Sequence, residues 1–172
     1  METKTYLFQP DKKFLKQGFF MTDEGGNVTY EAKMVKQSFF GPVPFQFINH
    51  LTNKTEDHKI GHTVTTQTEN GSMIFDEFSK KSYFKLDGKN VWDFLHELGV
   101  RIDSHFEDRK IGMKYEISLE GKPIAHIETT SPKEKSMITS RYYFNVTTTE
   151  EYLDLVFLVT FSIARTEQTF YN

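Results

Sequence analysis

The sequence predicts a mainly β domain of the α+β class, an antiparallel barrel or sandwich built around one buried helix. Three observations predict it. Apolar and polar residues alternate with a period of two along most of the chain, and glycine, asparagine and aspartate punctuate the runs. The short, closely spaced units favour a sandwich or barrel over alternating βαβ units. The segment EEYLDLVFLVTFSIAR, Glu150 to Arg165, is too apolar to lie on the surface of a chain otherwise so polar.

The first strands read clearly. Val28, Tyr30, Ala32 and Met34 share one face of a pleat and Thr29, Glu31 and Lys33 the other, after a turn at Asp23-Glu24-Gly25-Gly26-Asn27. In FFGPVPFQF, Phe39 to Phe47, Pro42 and Pro44 lack amide donors, which confines the stretch to a bend or edge; a barrel corner is favoured over a membrane-dipping loop. Turn residues at Asn53 to Asp57, Asn70-Gly71 and Asp87-Gly88 mark further reversals. Tyr115, Ile117 and Leu119 alternate with Lys114, Glu116 and Ser118, and Glu120-Gly121-Lys122 then returns the chain toward Ala125 and Ile127 as a hairpin. These rules yield about ten or eleven short strands.

Two helices interrupt the pattern. In NVWDFLHELG, Asn90 is placed to cap, Asp93 stands in the first turn and Gly99 suits a left-handed C′ position. Val91, Phe94, Leu95 and Leu98 take one side of this short surface helix, with Trp92 at their edge. Later, Thr148 followed by Glu151 forms a capping-box signature, predicting a helix from there to about Thr166. Its apolar residues cover roughly 240° of the circumference, more than a one-sided amphipathic helix needs. Glu151, Asp154, Ser162 and Arg165 form a narrow polar stripe that Leu158 interrupts. The longest apolar run, Leu155 to Val159, falls far short of the roughly 20 residues that span a bilayer, so no transmembrane segment is expected. Leaving this helix wet would forfeit, as an upper estimate, about 15 to 25 kcal/mol of burial, so it is expected inside the sheet.

The bulk properties bound the rest. A chain of 172 residues without Pro-, Gly- or Ser-rich linkers reads as one domain over residues 1–172. Its 21 basic and 24 acidic residues, net -3, lack the excess that nucleic-acid binding normally needs. With no cysteine, disulfide frameworks and thiolate zinc sites are excluded, which fits a reducing compartment. The opening METKTYLFQPDKK has no apolar core ahead of its lysines, so the expected location is cytoplasmic. The sequons at Asn27, Asn53, Asn70 and Asn145 then read as turn and strand asparagines.

A strand-rich chain of this size ending in a wholly buried helix resembles the tubby-like C-terminal domain family, in its LURP-one-related and phospholipid scramblase branch. The residues that carry the resemblance are YLFQ (Tyr6 to Gln9), FFMTDEGGNVTYEA (Phe19 to Ala32), the hairpin opening Tyr83 to Gly88, and EEYLDLVFLVTFSIAR. The resemblance covers nearly the whole chain and implies a closed antiparallel barrel of about 11–12 strands around the C-terminal hydrophobic helix. The helix from Asn90 to Gly99 departs from the plainest form of that fold. The family implies binding of phosphoinositides or other phospholipids through basic surface residues, with peripheral association at the inner membrane face. No lipid-binding position transfers residue by residue.

Phosphate head groups need several cations on one face. Lys12, Lys13 and Lys16, then Lys80, Lys81 and Lys85, then Lys133 and Lys135 are the groups available, although solvated lysines also guard sheet edges against pairing. Metal ligation is not expected: His58 and His62 lie four apart across Gly61, and Asp103 and His105 share a strand face as a hydrogen-bonding pair at most. No nucleophile elbow, phosphate-cradling glycine loop or HExxH is present, and Asp93 with His96 lacks a third group, so neither a catalytic site nor a cofactor is expected. The expected function is non-catalytic phospholipid binding. A protein-interaction or scaffold module of the same fold is the alternative, and a lipocalin-like carrier is disfavoured because the buried helix would fill its lumen.

Overall fold

The computed structural model describes residues 2–11, 18–36, 41–61, 67–69, 72–74, 85–106, 113–130 and 143–171. Thirteen strands and two α-helices follow in the order β1 (Lys4–Pro10), β2 (Phe19–Thr22), β3 (Val28–Met34), β4 (Val43–Asn49), β5 (Lys54–Gly61), β6 (Gln67–Glu69), β7 (Ser72–Ile74), β8 (Lys85–Leu86), β9 (Lys89–Asn90), α1 (Val91–Glu97), β10 (Val100–Phe106), β11 (Met113–Leu119), β12 (Lys122–Thr129), β13 (Phe144–Thr148) and, after a 3-10 turn at Glu150–Tyr152, α2 (Leu153–Tyr171). Eleven strands form one antiparallel sheet in the order β10-β11-β12-β13-β1-β2-β3-β4-β5-β8-β9, and β6 pairs with β7 separately.

The sheet is not closed by hydrogen bonds among the described residues; its edges are β10 and β9. The expected closed barrel is therefore met only as a single large antiparallel sheet with a C-terminal helix. The reason lies in the local sequence. Asn90 ends β9 after two residues by capping α1, its Oδ1 accepting from Trp92 N–H (2.9 Å) and Asp93 N–H (3.4 Å), so a helix stands between the two edge strands.

The middle of α2 is buried around most of its circumference. Val156, Phe157, Val159, Thr160, Phe161, Ser162 and Ala164 are each 0 % exposed; at about 100° per residue they take up most of the circumference, while Leu155 and Leu158 on the remaining side are partly buried. Their surroundings come from one face of the sheet. Phe157 stacks on Tyr30 of β3 with centroids 4.1 Å apart, and meets Phe8 of β1 at 5.5 Å and Phe47 of β4 at 5.8 Å. One turn on, Phe161 meets Phe19 of β2 at 5.6 Å and Phe45 of β4 at 5.5 Å. Tyr115, Ile117, Ile127 and Val146 bring β11 to β13 into the same core, and α1 adds Val91 and Leu95.

Several local expectations change. The capping box does not form: Thr148 ends β13 and its hydroxyl donates to Ile124 O (2.9 Å), so the chain enters α2 through the 3-10 turn. The polar stripe of α2 is not a solvent stripe, since Ser162 and Arg165 are buried. Ser162 satisfies itself by donating to Leu158 O (2.7 Å). Val28 is exposed and Thr29 buried, because a bulge between Met21 and Thr22 shifts the register and Thr29 donates to Met21 O (3.1 Å). Pro44 lies inside β4, flanked by β3 and β5. Its carbonyl accepts from Val35 N–H (2.9 Å), beyond the last paired residue of β3, so its missing donor points where that ladder has ended. On α1 the buried face is Val91 and Leu95, while Leu98 is exposed.

Candidate functional site

Polar chemistry concentrates at the near end of the sheet, where α2 starts. The side-chain amide of Asn49, at the end of β4, donates to Asp154 Oδ1 (2.8 Å), while its Oδ1 accepts from Leu51 N–H (3.0 Å) and Thr52 N–H (3.2 Å). The Tyr30 phenol is pushed well above its ordinary range by burial, and further by the charge of Asp154 and its hydrogen bond. Three lysines from three strands surround this point: Lys4 pairs with Glu150, Lys54 with Glu56 (3.0 Å) and Asp154 (4.0 Å), and Lys122 reaches Tyr152 Oη (3.2 Å). Each is held above the ordinary lysine value, Lys4 by the hydrogen bond to Glu150, Lys54 by that to Glu56 and Lys122 by that to Tyr152. Acidic residues in the first turns of a helix complement its dipole, so the arrangement anchors α2 and commits each of these three lysines.

None of these anchoring residues stood out in the sequence as a site. Only Asn49 carried a signal, being a polar residue on the inner face of FQFIN after Phe45 and Phe47. The lysines and acids that meet here are as much as 146 residues apart, as with Lys4 and Glu150, and pattern reading cannot join them.

The sequence-predicted candidates distribute as follows. His58 sits on β5 with Nδ1 2.8 Å from Asp87 Oδ2 and its ring against Phe47 at 4.9 Å; His62 lies outside the described residues. Asp87 also accepts from Lys59 N–H (2.6 Å), which ties the β8–β9 turn to β5. Asp103 and His105 are both exposed on β10 without a bond between them; Asp103 instead accepts from Arg101 Nε (3.3 Å). Asp93 and His96 are exposed on α1. Lys12, Lys13, Lys16, Lys80, Lys81, Lys133 and Lys135 lie outside the described residues, while Lys85 begins β8.

Among the described residues no group of three or more histidine, aspartate or glutamate side chains could hold a metal ion. The nearest approach is on β11 and β12. There His126 Nδ1 lies 2.6 Å from Glu116 and Nε2 lies 3.6 Å from Glu128, so the two carboxylates engage opposite nitrogens and cannot share one ion with the ring. Nor is any described helix long and apolar enough to cross a membrane. Comparison with protein-family models, curated proteins and solved structures returns no match.

Proposed function

We propose that this chain is a tubby-like domain that binds anionic phospholipid head groups at its outer surface without catalysis, as a peripheral protein of the cytoplasmic membrane face. The observation that carries the reading is the burial of α2 around most of its circumference, with Phe157 and Val159, on nearly opposite sides, both 0 % exposed. That is the arrangement by which the chain resembles the family. In this reading α1 covers the core at the start of β10, where Val91 and Leu95 join it, while Asp103 to His105 further along β10 stand exposed.

The sequence segments holding Lys12, Lys13 and Lys16, then Lys80 and Lys81, then Lys133 and Lys135 are outside the described residues. The strands flanking the first and the third end together at the far end of the sheet, at Pro10 opposite Phe19 and Thr129 opposite Phe144, and β8, which follows the second, begins there with Lys85 opposite Gly61. At the near end stand Asp23, Glu24, Glu120, Glu150 and Glu151 together with Lys4, Lys54 and Lys122. A lysine near an anionic membrane surface contributes about 1 kcal/mol to binding.

Cosedimentation with vesicles containing phosphatidylserine or a phosphoinositide, with salt titrated, tests this. The protein pellets at low salt and is released as salt rises, and Lys80→Glu with Lys81→Glu abolishes pelleting while leaving unfolding unchanged. A wild-type protein that stays in the supernatant at low salt refutes lipid binding and leaves the protein-interaction reading of the same fold.

A further inference from the structure

Strand β10 is one edge of the large sheet and pairs with β11 alone among the described residues. The bond from Glu120 N–H to Gly99 O (2.9 Å) fixes which of its backbone groups face inward, because hydrogen-bonded pairs alternate along an antiparallel ladder. With the regular register Val100 opposite Leu119 through Phe106 opposite Met113, the N–H and C=O groups of Arg101, Asp103 and His105 face β11. Those of Ile102 and Ser104 face away, at a strand whose Asp103, Ser104 and His105 side chains are exposed. Such an edge is a template for another strand.

The side-chain order along this edge is self-complementary. When β10 is laid antiparallel on a second copy with Ser104 at the two-fold axis, Asp103 stands opposite His105 of the second copy, and His105 opposite its Asp103. Those positions are the non-hydrogen-bonded ones, where opposed side chains come closest. Ile102 stands opposite Phe106, two apolar residue types. Within the chain Asp103 and His105 make no bond to each other; Asp103 accepts from Arg101 Nε on its own strand and faces Glu116 across its own sheet, which leaves its other oxygen open to a donor on the far side.

We infer that β10 is the dimerisation strand of this protein, joining a second copy of the chain by antiparallel pairing about Ser104 into one sheet across a two-fold axis. One strand per subunit buries less than the roughly 1,200 Å² of a standard interface, so the dimer is weak and forms at high concentration.

Sedimentation velocity of the full chain over a concentration series up to near-millimolar tests it. The wild type shows concentration-dependent dimer. Ser104→Pro, which removes the outward N–H at the axis, remains monomeric. Should that variant fail to fold, His105→Asp serves instead: it opposes two carboxylates and raises the dimer Kd by about tenfold or more. Adding Asp103→His to His105→Asp restores the opposed pair with its members exchanged, and restores dimerisation. A wild type that is monomeric throughout, a dimer indifferent to His105→Asp, or a double variant that is not rescued each overturns the inference.

Discussion

Phe157 is the residue at which strands from separate hairpins meet the helix, stacking on Tyr30 and lying tilted or edge-on to Phe8 and Phe47. Because it is fully buried among residues fixed by the sheet, a cavity there cannot collapse easily, and Phe157→Ala is expected to cost about 3 to 5 kcal/mol, read from urea unfolding. A loss below about 1 kcal/mol would mean the ring is not the packing centre described. Asp87 carries the acid dependence that the structure explains. Burial alone would raise it, but the hydrogen bonds from His58 and from Lys59 N–H outweigh burial and hold its carboxyl below the ordinary value. A carboxylate held low in the fold stabilises above its unfolded pKa, and that stabilisation is lost as pH falls through the folded one. The urea midpoint should therefore decline in the acid range below about pH 4, and Asp87→Asn should lower it at neutral pH and flatten that decline. An unchanged acid limb in the variant would show that Asp87 is not its source. Both residues stand in readable sequence, but the partner of each is distant: Asp87 meets His58 across 29 positions and a separate strand.

Among the elements, hairpins and α1 were legible because their signals are local. Asp87-Gly88 and Glu120-Gly121 each place two successive residues at positive φ, 51° and 82°, then 50° and 82°, the left-handed pair a tight hairpin requires. Gly99 takes φ 82° just beyond α1, where a Cβ would also stand 3.0 Å from Glu120 Cγ. The start of α2 departs from its local signal for the opposite reason: the Thr148 hydroxyl has a better partner in the Ile124 carbonyl of β12, which no capping motif reveals. The helix itself supplies the packing for one face of the sheet. Truncation before Glu150 is expected to leave an insoluble or molten chain, binding hydrophobic dye and losing near-UV circular dichroism. A soluble truncation with a sharp, single unfolding transition would contradict the role assigned to α2.

At the scale of the molecule, the first strand is central. β1 lies between β13 and β2, so residues near the two ends of the chain form adjacent strands, with Lys4 opposite Thr148. Deleting residues 1–10 would divide the sheet in its middle and expose the edges of β2 and β13 above the core. Calorimetry of that deletion should lose the single cooperative transition expected of the full chain. Retention of one transition at an unchanged temperature would place the cooperative core elsewhere. The same long-range pairing makes folding slow for a domain of this size, since loop closure must precede the contacts that reward it.

What the sequence determined by itself were the consequences of short-range geometry: the period of two, the glycine and asparagine turns, the Asn90 cap, and an α2 too apolar on too many sides to rest on a surface. Those follow from backbone sterics and residue polarity within a few positions. Tertiary structure alone decided that Pro44 could sit in an interior strand and that three lysines would be consumed in anchoring the start of α2. Each depends on which distant segments arrive beside one another, and a pairing between residues over a hundred positions apart leaves no trace in the local pattern of either.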